Sequence, residues 1–192
     1  DLNDPRVLYK LSLPEVQEKL MRLFVETFKD KAFAEREPEK GDSLKLQDTR
    51  PFVWSRAVYS ANKCIFNYVP CDNDFEVDFS KFLDRAEDVE AFSKIVPKMG
   101  FFVEYRDSQG NLRLYYPDFT ILTKDNEHLV LETKGRVDVD VEYKDKRIKL
   151  WCEDATRLTN SKWIFKRVNQ EDFEKYRFKG IKELISTLEN NR

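Results

Sequence analysis

With 192 residues, 41% of them hydrophobic, 14% aromatic and 36% charged, the chain has the composition of one ordinary domain with a real core and a well-solvated surface. A net charge of -2 supplies no whole-molecule attraction for nucleic acid, and no apolar run approaches the ~18 residues of a membrane span. Three cysteines without Cys-x-x-Cys spacing support neither a disulfide framework nor a zinc site, and a single histidine, His128, argues against a histidine-rich metal site or a His-based triad.

No secretory signal is visible, which points to a soluble, cytoplasmic protein, and the start at Asp1 without methionine points to a piece of something longer. Ser12-Leu13-Pro14-Glu15 reads as a helix start with Ser12 as N-cap, and Val16, Leu20, Leu23, Phe24, Val25 and Phe28 continue an apolar face to about Ala34. Residues 35–50 are charged and contain Pro38 and Gly41, so they read as a linker. Residues 1–50 are thus expected to be an N-terminal helical extension, and residues 51–192 the main domain. Phe52-Val53-Trp54 and residues 64–69 look like strands of a small accessory element.

Asn73-Asp74-Phe75-Glu76 opens a second helix, in which Phe75, Phe79, Phe82 and Leu83 recur at helical spacing. A short helix is expected at 88–95, a strand at 101–105, a turn at 107–111 and strands at 112–122 and 128–135. A helix over 142–158, a strand over 161–168 and helical segments through Phe173 and over 181–188 follow. The order is α, three strands, α, strand, α. It implies an α/β (α+β) fold with a central sheet flanked by helices.

The chemistry concentrates in Tyr115-Tyr116-Pro117-Asp118-Phe119-Thr120-Ile121-Leu122 and His128-Leu129-Val130-Leu131-Glu132-Thr133-Lys134-Gly135. Both read as strands joined by a turn whose Asp125-Asn126 core is turn-like. A hairpin centred near Asp125 sets Asp118 opposite Glu132, and period-2 alternation returns Lys134 to the face of Glu132. Two carboxylates and an ammonium on one face suit metal-dependent phosphodiester hydrolysis. Hard Mg²⁺ takes carboxylate and carbonyl oxygens, so Asp118, Glu132 and the Thr133 carbonyl form a partial shell, with Mn²⁺ as a substitute. Lys134 would orient the attacking water and offset phosphate charge. His128 is a turn-edge residue on this reading.

A buried Asp/Glu–Lys ion-pair network is the competing reading, and the bare pattern is common: Glu142-Tyr143-Lys144 repeats its second half outside an apolar strand. Lys144 to Arg167 carries a local positive excess, in which Lys146, Arg147 and Lys149 are candidates to follow a phosphate backbone. A solvated helix face explains that excess equally well. Trp151 and Leu158 read as core.

With Asp118, Glu132-Thr133-Lys134 and the element order together, residues 73–168 resemble the PD-(D/E)xK nuclease superfamily, which implies an αβββαβ core. Residues 67–69 and 71–76, the helix through Leu83, Tyr116-Pro117-Asp118-Phe119 and residues 131–135 look like the C-terminal endonuclease region of the restriction subunit of type III restriction-modification enzymes. The likeness spans residues 51–185. It implies a Mg²⁺-dependent endonuclease acting on double-stranded DNA, with Asp118 and Glu132 as metal ligands and Lys134 as the catalytic lysine.

It further implies an upstream superfamily 2 helicase region, through which alone ATP would act, and a methyltransferase subunit that reads the DNA sequence. The Gly-x-x-x-x-Gly-Lys-Ser/Thr signature of such a motor does not occur in these residues. An acidic residue in the first core helix of such nucleases points to Glu76 as a further metal ligand, although Asn73-x-x-Glu76 is also a capping box. A catalytically silent nuclease fold used for docking, and a stand-alone repair or junction nuclease, are the alternative functions.

Overall fold

The computed structural model describes residues 4–31, 37–134 and 140–190. The chain divides into two compact units, Asp1–Pro38 and Glu39–Arg192. In the first, helix α1 (Pro5–Ser12) is capped by the Asp4 carboxylate, which accepts the Arg6 N–H at 2.9 Å, and helix α2 (Pro14–Lys31) follows directly. Ser12 therefore ends one helix instead of capping the next, and its hydroxyl donates to the Tyr9 carbonyl at 2.7 Å. Pro14 explains the break, because a residue before proline is pushed out of the helical region and Leu13 is extended (ψ 131°). Of the expected extension to Ala34, residues 32–34 lie outside the described residues.

In the second unit a two-residue ribbon, β1 (Val58–Tyr59) with β2 (Val69–Pro70), precedes helix α3 (Asp74–Arg85). The strands expected at 52–54 and 64–69 are thus mostly irregular chain. Val53 is exposed, so it has no pleated surface to pack on, and Cys64 makes a single bridge to Phe92. The segment expected as a helix at 88–95 is strand β3 (Val89–Lys94). Its Glu, Ala and Lys favour helix weakly, and pairing with a buried neighbour overrides a preference of a few tenths of a kcal/mol per residue.

Strands β4 (Val103–Arg106) and β5 (Leu112–Tyr115) form a separate antiparallel hairpin. The single strand expected over 112–122 is broken at Tyr116-Pro117-Asp118, where proline has no N–H to give a ladder, and resumes as β6 (Phe119–Thr123). Strand β7 (His128–Lys134), helix α4 (Val141–Leu158), strand β8 (Trp163–Asn169) and helices α5 (Gln170–Lys175) and α6 (Ile181–Asn190) complete the unit.

The main sheet has the order β3-β6-β7-β8, antiparallel except for the parallel pair β7–β8. Counting α3, β3, β6, β7, α4 and β8 gives αβββαβ, with the β4–β5 hairpin inserted between the first two strands. Alternation along β7 sends Leu129 and Leu131 to one core and Val130 to another. The first core holds α3, α6 and the Phe79 ring, which meets Phe119 at 5.3 Å and Phe173 at 5.4 Å. The second holds Ile148 and Cys152 of α4 against Val130, Phe165 and the β4–β5 hairpin. A mixed sheet covered on both faces results, which is why β7 reads as a continuous apolar run.

Helix α6 is capped from far away in sequence. Both oxygens of Asp88 accept main-chain N–H groups of Ile181 (2.8 Å) and Lys182 (2.9 Å), and a Cβ on Gly180 would meet that carboxylate at 2.6 Å. Losing such a cap costs about 1 kcal/mol, up to ~2. Gly180→Ala and Asp88→Ala should each lower the urea midpoint by that amount of stability, and the pair should be less than additive because both act on one carboxylate.

Candidate active site

The site begins with the β6–β7 turn. Asn126 takes a positive φ of 62° and donates its N–H to the Thr123 carbonyl at 2.9 Å, so the Asp125-Asn126 core turns as expected. The pairs Phe119–Leu131 and Ile121–Leu129 are symmetric about position 125, and Asp118 and Glu132 are the residues just beyond the Phe119–Leu131 pair. Asp118 is held from both sides. Its carbonyl accepts the Ile95 N–H at 2.7 Å, its Oδ2 accepts both the N–H and the hydroxyl of Thr133 at 2.7 Å, and its Oδ1 accepts from Lys94 Nζ at 2.7 Å.

The expected single face is divided in two. Pro117 ends the pleat before Asp118, which frees its carboxylate to lie beside Thr133 and Lys94, on the side of Phe119 and the first core. Glu132 keeps the strand alternation and turns toward α4. There its Oε2 accepts the Tyr115 hydroxyl at 2.7 Å, and its Oε1 lies 3.5 Å from Arg167 Nη1. Arg167 is in turn gripped by Asp145 of α4, through Nη2 at 2.5 Å and Nε at 3.2 Å. Asp118 and Glu132 each remain 17% exposed, so both still reach solvent.

Electrostatics join the two halves. Burial first, and then the charge of Asp118, push Glu132 up to about 7, against the pull of Tyr115, Arg167 and Lys94. Burial would lower Lys94, but Asp118, Glu76 and Asp72 outweigh it and the lysine is raised. Arg167 behaves likewise, with Asp145 and Glu132 outweighing burial. Tyr115 is raised by burial and by Glu132, so it stays a hydrogen-bond donor.

Glu76 is buried beside this centre. Its Oε2 accepts the Asp72 N–H at 2.7 Å while Asn73 Oδ1 accepts the Glu76 N–H at 2.9 Å, a capping-box exchange displaced by one residue. Lys134 closes β7 opposite Asn169, and its side chain lies outside the described residues, as does Gly135. On α4, Lys146 and Lys149 are exposed, whereas Arg147 donates to the Glu104 carbonyl at 3.1 Å. The rest of the basic stretch is largely committed, with Lys162 to Glu127, Lys166 to Glu189 and Arg167 to the site. His128 stacks on Trp163 at 4.2 Å, and Trp151 packs edge-on to Phe101 and Trp163 in the second core. Glu142-Tyr143-Lys144 lies on the first turn of α4, away from any strand.

Lys94, Tyr115, Asp145 and Arg167 were not legible as site residues. Lys94 offered one signal, a lysine inside the apolar run Phe92-Ser93-Lys94-Ile95-Val96. Arg167 offered none in sequence, because its role depends on the parallel register that sets it beside Glu132.

A central mixed sheet flanked by helices, with two carboxylates at the end of its middle hairpin, is a restriction-endonuclease-like fold. A family model described as an endonuclease domain matches residues 62–179, more than half of the chain, and the chain belongs to that family. Neither the curated proteins nor the solved structures give a match. No helix among the described residues is long and apolar enough to cross a membrane.

The donor set can be tested against a hard cation. Among the described residues no three His, Cys, Asp or Glu side chains form a ready metal cluster, and the acids of the site are paired with Lys94 and Arg167. Asp118 Oδ1, with one hydrogen bond, and Glu132 Oε1 nevertheless keep lone pairs open. Two such oxygens fit Mg²⁺, which binds through one or two carboxylates and keeps several waters. Arg167 Nη1, buried and without a hydrogen bond among the described residues, faces the same Oε1.

The raised Glu132 has a pH signature. A folded-state value near 7 against an ordinary 4.5 means that the fold holds this proton more tightly than the unfolded chain. The resulting stabilisation is fully present below about 4.5 and is lost as pH rises through about 7. In chelator, denaturant titrations across that window should show wild type losing stability relative to Glu132→Gln, with a difference that levels off above neutrality.

Proposed function

We propose that this endonuclease domain is a Mg²⁺-dependent DNA endonuclease of a type III-like restriction enzyme. The observation that supports this most is the pair of half-buried carboxylates, Asp118 and Glu132, near enough to each other at the end of β6–β7 that the charge of one raises the pKa of the other. Like charges crowded in this way cost energy in the resting protein, and a divalent cation between them would relieve it.

Asp118, Glu132 and the Thr133 carbonyl would hold the cation, with Mn²⁺ able to replace Mg²⁺. When bound, the metal supplies Lewis acidity for the phosphate and a water of lowered pKa. The chain's own groups do the rest. Thr133 aims Asp118 through two hydrogen bonds, Tyr115 and Arg167 fix Glu132, and Lys134, two residues beyond Glu132, orients the attacking water and offsets developing phosphate charge. Exposed Lys146 and Lys149 would follow the double-stranded DNA backbone from α4. The setting is an upstream superfamily 2 helicase region that uses ATP and a methyltransferase subunit that reads sequence, in a prokaryotic cytoplasm.

Asp118→Asn and Lys134→Ala should keep the wild-type circular dichroism spectrum and lose Mg²⁺-dependent nicking of plasmid DNA by at least ~100-fold. Undiminished cleavage by both purified variants would sink the assignment. Folded, metal-binding protein that never cleaves, even joined to its motor and methyltransferase, would favour a docking module instead.

A further inference from the structure

Three carboxylates converge on the Asp118 side of the site, and what they surround is an ammonium. Lys94 Nζ lies 2.7 Å from Asp118 Oδ1, 3.4 Å from Glu76 Oε1 and 3.8 Å from Asp72 Oδ2, on a side chain only 4% exposed. It also sits 5.6 Å from the centre of the Phe119 ring, across from which β3 pairs Lys94 with Phe119. The position is therefore set by strand register and not by a flexible arm.

Glu76 has little left to offer a metal. Its Oε2 is taken by the Asp72 N–H, and its Oε1 faces both Lys94 and the Asn73 amide at 3.3 Å. Asp72 is shared with Arg56. Glu132, by contrast, is on the far side of β7 with Tyr115 and Arg167. The acids thus divide into Asp72, Glu76 and Asp118 around Lys94, and Glu132 beside Arg167, with Asp118 and Glu132 the two that reach solvent where the groups meet.

We propose that Lys94 is a positioning residue and the resident cation of this centre. It holds the Asp118 carboxylate in place, takes Glu76 as its partner, and limits the site to one divalent cation, bound between Asp118 and Glu132. This rests on the metal-dependent reading above and deepens it. A second dication on the Glu76 side would have to sit against a buried ammonium or displace it.

The test counts metal ions. Mn²⁺ titrated into the 192-residue chain, alone and with a phosphorothioate DNA duplex, is followed by calorimetry and by electron paramagnetic resonance of the free ion. Wild type should take up a single Mn²⁺ per chain. Glu76→Gln should leave that number and the Mn²⁺ affinity unchanged, since removing a true ligand would weaken binding by at least about tenfold. Lys94→Met should admit a second Mn²⁺, visible as dipolar broadening between neighbouring ions.

Two ions in wild type, a weakened Glu76→Gln, or a folded Lys94→Met that still takes one would each overturn the proposal while leaving the metal-dependent reading intact. No uptake by wild type under either condition would overturn both. Where Lys94→Met does not fold, the Glu76→Gln affinity decides.

Discussion

A charge taken out of water has to be met by an opposite charge or by hydrogen bonds, and two buried cations impose that requirement on everything around the site. Lys94 gathers Asp72, Glu76 and Asp118 from the start of α3 and the end of β6's approach. Arg167 ties Asp145 of α4 to Glu132 of β7. Each cation connects elements far apart in the chain, so the helices are locked to the sheet where the carboxylates lie. Removing either partner would strand a charge in a low-dielectric interior, which makes these networks more sensitive to change than the apolar layers beside them.

The fold supplies the platform. Strand β7 is central and covered on both faces, with Leu129 and Leu131 against α3 and α6 and Val130 against α4. A strand so confined presents its end residues with little freedom. Proline at 117 then does something that an uninterrupted strand could not: it releases Asp118 from the alternation, so that its carboxylate meets the Thr133 N–H while Glu132 faces the other way. The two carboxylates approach the end of β7 from different sides. Asymmetry follows, with Asp118 beside a lysine and Glu132 beside a tyrosine and an arginine, and burial with the charge of Asp118 pushes Glu132 toward neutrality.

Strong local signals were legible and weak ones were not. Helices α3 and α4 and the β6–β7 hairpin were visible because apolar spacing and turn chemistry agree with the tertiary outcome, as in Phe75-x-x-x-Phe79 and Asp125-Asn126. Segment 88–95 failed because its residues suit either state and only a neighbouring strand chooses between them. That failure hid Lys94, since a lysine on a short helix would have looked solvated. The small β1–β2 ribbon and the role of Ser12 were lost for a similar reason, in that one proline or one bridge decided them.

By itself the sequence determined helices α3 and α4, strands β6 and β7 and the hairpin centre at Asp125, because alternation, spacing and turn residues act over a few positions along the chain. Tertiary structure alone decided which cations meet Asp118 and Glu132. Lys94 is 24 residues from Asp118 and reaches it through the β3–β6 register, and Arg167 reaches Glu132 through the parallel β7–β8 pairing. Electrostatic partners are set by proximity in space and by burial, neither of which is written in spacing along a chain.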